Sequence, residues 1–403
     1  MTVAFKKLLK LGTAMLAMLA AAYLVSDWRF WVRHFQSPGD DRIIFDFNWY
    51  EPRARVGEGP GRDIPVAAPN ARAIDQAALE AVTAYARELD SYAFIVAQNG
   101  VIQAEYYKDG FGPESMFDTQ SMHKGLLGVA FGLAVDHGLI DTIDKPAAAY
   151  ITEWANDARN KIAIRDLLAN TSGLADPGFS EWPWSVGYRL FIGTHVDDAV
   201  IALPAVREPG REFQFNHVNS QILHAVLTRA TGMTYVDFLK TYLWDPLGNG
   251  AAQVRLDEPD GSARTVCCFQ TTARSWLRIA NMILAGGQVN GAQVLSQDWI
   301  KEMTTATPVH PKTGFHILLG QPAPPRRTYA ATDRAQPTRA SEPFAADDVR
   351  YLEGRGGQRT LWIPSKKIAV VRIGKIDFAW DDAKVINPLI AGLKAPERSA
   401  DGE

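Results

Sequence analysis

Ser121 and Lys124 lie three residues apart, and their side chains at this spacing could act together in a nucleophilic reaction. On a helix, residues three apart share one face, so the hydroxyl and the amine would lie side by side. A lysine held among apolar residues has a lowered pKa, because burial disfavours its charged form. Such an amine can take the proton of a serine hydroxyl and turn the serine into a nucleophile. The same pattern also arises by chance from a capping serine and a surface lysine.

The residues that follow this pair favour the chemical interpretation. Residues 125–138 are apolar on nearly every side of a helix, which is typical of a buried central helix. Glycines at helical spacing predict close packing against neighbouring elements, and a final glycine is a suitable stop: Gly125, Gly128, Gly132 and Gly138. We therefore expect Ser121 to lie at the start of a buried helix, on the floor of a cleft.

The composition is that of a globular protein with a large core, as one domain or two interleaved ones. The chain has 403 residues, 47% hydrophobic and 22% charged, and a net charge of −3. Nothing in this balance suggests a nucleic acid as partner. The two cysteines, Cys267 and Cys268, are adjacent, and neighbouring cysteines rarely bridge, so we predict buried thiols. No histidine or cysteine spacing suggests a metal site, and no cofactor is predicted.

The first residues are predicted to be a targeting segment. Three lysines, at positions 6, 7 and 10, precede an apolar run from Leu11 to Val25, and aromatic residues follow it. The run is short for a spanning helix, but aromatic flanks can extend it, and this favours an uncleaved anchor. A cleaved signal peptide ending near Ala22 is the alternative. Both predict export, with the main domain on the periplasmic side of the inner membrane.

The order of predicted elements indicates an α+β fold. Asn99-Gly100 is a type I′ turn signal between two runs rich in β-branched and aromatic residues, so residues 92–107 are predicted to form a hairpin. Residues 349–375 are predicted to form further strands, and the middle of the chain is predicted to be helical. The result is one antiparallel sheet built from both ends of the chain, flanked by helices, with an inserted mainly helical domain.

This organisation divides the chain into an N-terminal segment, a lead-in, a main domain and a tail. A long loop rich in Pro, Arg, Ala and Asp lies within the main domain, as a lid or a disordered insert. The predicted bounds are 1–33 for the N-terminal segment, 34–73 for the lead-in, 74–395 for the main domain, 321–348 for the loop and 396–403 for the tail. Within the main domain, 74–138 and 255–395 form the sheet part and 139–254 the helical insert.

Several motifs follow one another in a fixed order along the chain. They are Ser121-x-x-Lys124, Leu167-Leu168 with Thr171-Ser172-Gly173-Leu174, Pro209-Gly210 before residues 213–219, Asp245-Pro246-Leu247-Gly248, Thr272-Ala273-Arg274, and the run 354–358. This ordered set resembles the serine β-lactamase and penicillin-binding-protein superfamily. It is most similar to the class C and esterase branch, which includes 6-aminohexanoate-dimer hydrolases. The resemblance covers about residues 74–393.

The resemblance implies a mechanism. Ser121 would attack the carbonyl of a small ester or amide, and Lys124 would accept its proton. The backbone N–H groups of Ser121 and Gln358 would form the oxyanion hole. An acyl-enzyme on Ser121 would then be hydrolysed by water.

The sequence departs from the superfamily's pattern at the usual proton-transfer tyrosine. Phe215 occupies that position and has no hydroxyl, while His217 aligns with the asparagine of the Y-x-N motif. Three bases remain open: Lys124 alone, His217, or Tyr188 from the preceding aromatic loop. His217 could equally be a hydrogen-bonded cap at a helix start, and Tyr188 a packing residue.

A second departure is Arg355, which stands where the superfamily has the lysine of K-T-G. Its planar guanidinium suits recognition of a substrate carboxylate, or it forms a surface salt bridge. The candidate substrate-binding residues are Phe215, Asn216, Asn219, Arg355, Gly356, Gly357, Trp182 and Trp184. The tryptophans, with Trp362, would line an apolar pocket or belong to the core.

Three functions are compatible with this pattern. The first is an exported serine hydrolase acting on a small ester or amide. The second is a β-lactamase or DD-peptidase, against which the two departures argue. The third is a degenerate, non-catalytic envelope binding protein, which Phe215 motivates and the intact Ser121–Lys124 pair opposes.

Overall fold

The computed structural model describes most of the chain from residue 27 onward. The described residues are 27–178, 180, 182–320, 326–327 and 338–395, with residues 5, 10, 12–15 and 18 of the N-terminal segment. Most of the predicted anchor, the middle of the predicted loop at 321–348 and the tail at 396–403 therefore lie outside the described residues. In the part that is described, no helix is long and apolar enough to cross a membrane.

The larger sheet has six strands, is antiparallel throughout and joins both halves of the chain, as predicted. Its centre is the pairing of an early strand with the last strand, in which Ile95 lies opposite Val371. Asn99 and Gly100 both have positive φ values, of 49° and 78°, which confirms the predicted turn. In spatial order the strands are β3 (Val101–Tyr107), β2 (Ser91–Gln98), β14 (Ile368–Gly374), β13 (Gln358–Ile363), β12 (Arg350–Gly354) and β9 (Leu318–Leu319).

A second, four-stranded sheet was not predicted. Its order is β1 (Arg53–Gly57), β5 (Ala252–Arg255), β6 (Phe269–Thr272) and β4 (Met116–Asp118). The strand β1 comes from the predicted lead-in, whose sequence has only two alternating apolar residues and gains its strand structure by pairing with β5. The strand β4 ends three residues before Ser121, so this sheet fixes where the nucleophile segment begins. Two short antiparallel strand pairs complete the described strands: β7 (Gln288–Val289) with β8 (Ala292–Gln293), and β10 (Arg326–Arg327) with β11 (Thr338–Arg339).

Helices occupy the middle of the chain, as predicted, and flank the larger sheet. They are α1 (Trp28–Gln36), α2 (Gln76–Glu88), α3 (His123–Asp136), α4 (Ile164–Leu168), α5 (Val186–Ile192), α6 (Val196–Ile201), α7 (His217–Thr231), α8 (Tyr235–Leu239), α9 (Asp245–Leu247), α10 (Ala273–Leu284), α11 (Gln297–Met303) and α12 (Ala383–Ala391). A π-helical turn, Lys240–Trp244, connects α8 to α9. The helix α3 is buried along nearly its whole length, because almost all its side chains are apolar.

Two glycines let neighbouring elements approach α3 closely, as the sequence predicted. A Cβ atom on Gly132 would lie 2.2 Å from the Trp299 ring, and the indole N–H of Trp299 donates to the Gly128 carbonyl at 2.9 Å. A Cβ atom on Gly125 would lie 2.3 Å from Leu352 on β12. These contacts seat the first turn of α3 directly against the edge of the sheet, where the candidate site lies.

The prediction of two buried thiols is wrong. Cys267 and Cys268 are buried but form a disulfide with each other. The physical reason is the backbone at Cys268, whose φ of 77° is rare for an L-residue and turns the two neighbouring side chains together.

Candidate active site

Ser121 lies in a single 3₁₀ turn, Gln120–Met122, which leads directly into α3. The preceding residue, Gln120, has a φ of 53°, an unfavourable conformation for a residue with a side chain. Asp118 holds it there, because its carboxylate accepts the backbone N–H of Gln120 at 2.9 Å. Asp118 is itself buried and paired with Arg255 at 2.6 Å. A buried ion pair therefore supports the strained turn that presents the serine.

The lysine lies beside the serine, as the three-residue spacing predicted. The Lys124 ammonium nitrogen donates to the Ser121 hydroxyl oxygen at 2.9 Å and also to the backbone carbonyl of Val266. Only 3% of Lys124 is exposed, and burial lowers its pKa to about 7. Near neutral pH a large fraction of this amine is therefore uncharged and able to accept a proton.

The segment that carries the disulfide forms the wall behind the pair. The Cys267 carbonyl lies 3.0 Å from Nδ1 of His123, and the Cys268 N–H donates to the Gln120 carbonyl at 3.0 Å. Burial lowers the pKa of His123 to about 3, so this histidine is neutral. The disulfide segment thus contacts the residues on both sides of Ser121 and orients the nucleophile turn.

Ser121 and Lys124 open into a cavity of 1010 Å³. Most of its wall is apolar: Ile43, Trp49, Phe191, Ile192, Phe213, Phe215, Leu318, Phe378 and Trp380 contribute, together with the disulfide. The polar groups include Asn170, His217 and His316. Charged residues, among them Asp176, Glu353 and Arg359, also line it. A large cavity with both apolar and polar walls next to the nucleophile is typical of a site for an organic substrate.

Phe215 lies over the lysine. The Lys124 nitrogen is 5.7 Å from the centre of the Phe215 ring. The assignment of Phe215 to the position of the usual tyrosine stays a prediction. A phenyl ring in this place contributes packing and a favourable electrostatic contact with a cation, but no proton transfer.

His217 reaches the cavity, and its interpretation as the cap of a helix does not hold. The cap of α7 is Asn216, whose side chain accepts the Val218 N–H at 3.0 Å. The His217 ring packs edge-on against Phe215 at 5.2 Å, and its buried Nδ1 has no hydrogen-bond partner among the described residues. Burial and the nearby Lys124 lower the pKa of His217 well below its ordinary value. A neutral imidazole with an unpaired nitrogen is therefore available to a substrate or a water.

Tyr188 lines the cavity but has another bonding partner. Its hydroxyl lies 2.9 Å from Nδ1 of His34, on α1, and its ring packs edge-on against Phe30. These contacts join α5 to α1. A catalytic role for Tyr188 would require this hydroxyl to exchange its partner.

Arg355 lies at the rim of the cavity and forms a bidentate ion pair with Asp40, at 2.6 and 2.9 Å. Both side chains are about half exposed, so the geometry is that of the surface salt bridge. Gly356 and Gly357 have φ values of 73° and 84° and form the turn between β12 and β13. Gln358 begins β13 opposite Gly354 and is buried, with its side chain bonded to the backbone of Gly374. The oxyanion role of Gln358 stays a prediction.

The remaining candidate residues do not line the cavity. Asn216 and Asn219 are buried and hold the loop after α4, since Asn219 donates to Asn170 at 3.1 Å and accepts from Ser172 at 2.6 Å. Trp182 and Trp184 are 63% and 52% exposed on the outer surface, and Trp362 belongs to the core.

Two polar residues of the site were missed by the sequence analysis, Asn170 and His316. His316 has a φ of 53° and packs its Nδ1 3.3 Å from the Asn170 amide nitrogen, while its buried Nε2 has no partner in the described part of the chain. Burial and Lys124 lower the pKa of His316 to about 3, against a backbone hydrogen bond to Leu167 that raises it. Neither a positive φ value nor the position of a buried ring nitrogen leaves a signal in the sequence.

The fold and this pair define the class of protein. A serine and a lysine at the start of a buried helix, beside an antiparallel sheet and a helical insert, form the arrangement of the β-lactamase and transpeptidase-like fold. The family model described as Beta-lactamase matches residues 76–373, and the chain belongs to this family.

The similar proteins include hydrolases and penicillin-binding proteins. A 6-aminohexanoate-dimer hydrolase from Paenarthrobacter ureafaciens is 31% identical over 224 residues, covering 52% of this chain and 56% of the relative. The chain thus spans little more than half the length of this curated relative. A penicillin-binding protein homolog from Caulobacter crescentus has a TM-score of 0.60 and 14% identity, covering 85% of this chain and 100% of its own. A family VIII carboxylesterase has a TM-score of 0.59 and 16% identity, covering 79% and 96%. At these identities, the two structures establish the fold.

Proposed function

We propose that this protein is an exported serine hydrolase that cleaves a small ester or amide through an acyl-enzyme on Ser121. The observation that carries the proposal is the 2.9 Å hydrogen bond between the Lys124 amine and the Ser121 hydroxyl. The amine is buried, and its pKa of about 7 suits a general base at neutral pH.

Formation of the acyl-enzyme needs two proton transfers, and Lys124 takes part in both. The neutral Lys124 amine takes the Ser121 proton while the serine oxygen bonds to the substrate carbonyl carbon. The resulting ammonium returns the proton to the leaving alcohol or amine as the carbon–heteroatom bond breaks. Water then attacks the acyl carbon and gives a proton to the neutral Lys124 amine. The resulting ammonium returns this proton to the Ser121 oxygen as the acyl–oxygen bond breaks and the acid leaves. Because Phe215 has no hydroxyl, Lys124 acts as the base without a tyrosine partner.

The two neutral histidines complete this site. The unpaired nitrogens of His217 and His316 are buried, and both residues line the cavity that Lys124 enters. Unpaired nitrogens in such a position can accept from or donate to the leaving group and the hydrolytic water, depending on the tautomer. The apolar wall of the cavity favours an acyl or amine group with a substantial hydrocarbon part.

Two features support export and N-terminal anchoring. The lysines before the apolar run from Leu11 to Val25 form the charge pattern of a segment that stays inside while the following domain is exported. The Cys267–Cys268 disulfide would persist in an oxidising compartment such as the periplasm.

The test is active-site labelling of the full chain in mild detergent with a fluorophosphonate, followed by intact-mass spectrometry. We expect one adduct, together with turnover of a p-nitrophenyl ester, and loss of both in Ser121→Ala. Ser180→Ala is a matched control, because Ser180 also lines the cavity but lies on another loop. Absence of both adduct and turnover would favour the non-catalytic binding protein that Phe215 suggests. Faster acylation by a β-lactam than by esters and amides would favour the β-lactamase or DD-peptidase alternative.

Phe215→Tyr should raise kcat/KM for ester hydrolysis by about tenfold, less than the roughly 10²- to 10⁴-fold of a fully positioned acid or base, because the rest of the site is built around a phenyl ring. The reason is that a hydroxyl would enter the site on the ring that lies over Lys124. Phe213→Tyr is the control, since Phe213 also lines the cavity but stacks on His310. Steady-state kinetics with one ester would measure both variants, and equal rates in wild type and Phe215→Tyr would contradict the assigned role of this position.

A further inference from the structure

An exposed group of apolar side chains lies outside the cavity, on α1 and on the loop before α5. We call it the aromatic face, and it consists of Trp28, Trp31, Val32, Phe35, Trp182 and Trp184. Phe35 is 78% exposed, and the other large side chains named in this group are exposed or half-buried. Single exposed apolar residues are ordinary, but a contiguous group on one surface marks an interaction site.

Ring contacts join four members of the aromatic face, Trp31, Phe35, Trp182 and Trp184. The Trp31 ring stacks on Phe35 with centroids 6.1 Å apart and meets Trp184 edge-on at 6.0 Å, while Trp184 lies 4.8 Å from Trp182. The exposed aromatic side chains of two separate segments, α1 and the loop before α5, therefore form one continuous surface.

Contacts on the opposite side of α1 fix the helix to the domain and leave the aromatic face exposed. Phe30 is fully buried, and the buried Arg33 donates to the carbonyls of Glu51 at 2.7 Å, Ile192 at 2.8 Å and Asp257 at 2.8 Å. The N-cap residue Asp27 also pairs with Arg189. These carbonyl bonds and the ion pair fix the helix to the domain, so its exposed side is a defined surface and not a frayed end.

The chain itself indicates what covers this surface. The apolar run from Leu11 to Val25 ends two residues before Asp27, which is the N-cap residue of α1. The first residue of α1, Trp28, is three residues beyond Val25, and three residues span at most about 11 Å, so α1 must begin within that distance of the end of the apolar run. If the run lies in a bilayer, α1 lies in the head-group region, where tryptophan side chains are enriched.

We propose that the aromatic face lies in the head-group region of a lipid bilayer and directs the cavity toward it, so that the substrate is a membrane-borne ester or amide. The proposal rests on the proposed hydrolase function and its N-terminal anchor. Residues that continue from α1, Ser37 to Asp40, line the cavity, and so do Tyr188 and Phe191 of α5. Segments directly continuous with the aromatic face thus also form part of the cavity wall, and a substrate held in the bilayer would reach Ser121 through this side of the cavity.

The test uses the full chain reconstituted in vesicles of phosphatidylcholine and phosphatidylglycerol. The variant replaces the exposed side of α1 by Trp28→Ser, Val32→Ser and Phe35→Ser together, and leaves the anchor and the cavity intact. The matched control is Val66→Ser with Val206→Ser, which removes exposed apolar side chains from other surfaces, 60% and 57% exposed. Each protein is assayed with a short, water-soluble p-nitrophenyl ester and with a long-chain 4-methylumbelliferyl ester dissolved in the vesicles.

We expect the α1 variant to keep its rate on the soluble ester and to lose about tenfold on the vesicle-borne ester, because interfacial seating depends on the buried apolar area. Tryptophan fluorescence of the wild type should also be quenched by brominated lipids, and less so in the variant. Equal vesicle rates in all three proteins, or no quenching, would overturn the proposal. So would a wild-type dimer that the variant cannot form, since a second copy would then cover the face. If no protein cleaves the soluble ester, the hydrolase function fails, and quenching alone decides the location of the face.

Discussion

Replacing Lys124 by methionine should lower kcat/KM for ester hydrolysis by about 10²- to 10⁴-fold, the contribution of a positioned general base, without unfolding the protein. Methionine fills a similar volume among the buried neighbours of Lys124 but cannot accept the Ser121 proton. In the wild type, kcat/KM should rise with pH through about 7, as the amine loses its proton. The variant should lack this ascending limb.

The stability of the same variant separates the catalytic role from a structural one. Burial lowers the pKa of Lys124 from 10.5 to about 7, so between these values the unfolded chain binds a proton that the folded protein does not. The free energy of unfolding of the wild type therefore rises with pH across this window, by up to about 1.4 kcal/mol per pH unit from this group. Below pH 7 both states are protonated, and the buried charge destabilises the fold most.

The measurement is urea unfolding of the wild type and Lys124→Met at pH 6, 8 and 9.5. We expect the variant to be at least as stable as the wild type at pH 6 and its advantage to shrink as the pH rises. Lys301→Met, on the exposed surface of α11, is the control and should show no such trend. A variant that is inactive because it is unfolded, or a wild-type rate that does not change through pH 7, would refute the role of Lys124 as a buried base.

What the sequence predicted about this site was local. Ser121 and Lys124 are brought together by one turn of backbone, and the hairpin at Asn99-Gly100 by two residues that accept positive φ values. The antiparallel sheet from both ends of the chain followed from where the β-rich runs lie. The first two predictions rest on residues that are close in sequence and in contact. The third rests on the order of strands and helices along the chain.

What the sequence did not predict depends on contacts between distant segments. His316 meets Asn170, and the disulfide segment meets His123 and Lys124, only because the fold brings their loops together. No periodicity or spacing marks such residues. The disulfide in particular depends on one unusual φ value, which the identity of the neighbouring residues does not reveal.

Removing the buried cation beneath the nucleophile turn should have the largest effect on stability. Arg255→Met should lower the free energy of unfolding by about 3–5 kcal/mol, because it leaves the buried Asp118 carboxylate without its counter-ion. The methionine keeps part of the apolar contact that Arg255 makes with the Trp49 and Tyr50 rings. Packing is therefore changed less than charge.

The pKa shifts of Asp118 and Arg255 indicate how the loss of stability in Arg255→Met should depend on pH. Burial raises the pKa of Asp118 and lowers the pKa of Arg255, because it opposes both charges more strongly than their mutual attraction favours them. Without Arg255 the pKa of Asp118 should rise further. A carboxyl group with a raised pKa in the fold binds a proton that the unfolded chain does not, so the variant should be least destabilised in acid and should lose stability as the pH rises.

A double variant decides whether the charge or the shape of Arg255 is responsible. Asp118→Asn with Arg255→Met removes both charges, and the asparagine oxygen can still accept the Gln120 N–H that holds the serine turn. We expect it to recover most of the loss, because paired removal of buried charges is much less destabilising than removal of one. Arg55→Met breaks the exposed pair with Glu58 and should change the free energy of unfolding by less than about 1 kcal/mol. Urea unfolding at pH 5 and pH 8 measures all of these proteins. If the double variant were as unstable as Arg255→Met, the ion pair would not be what supports the strained turn at Gln120, and the placement of Ser121 would need another cause.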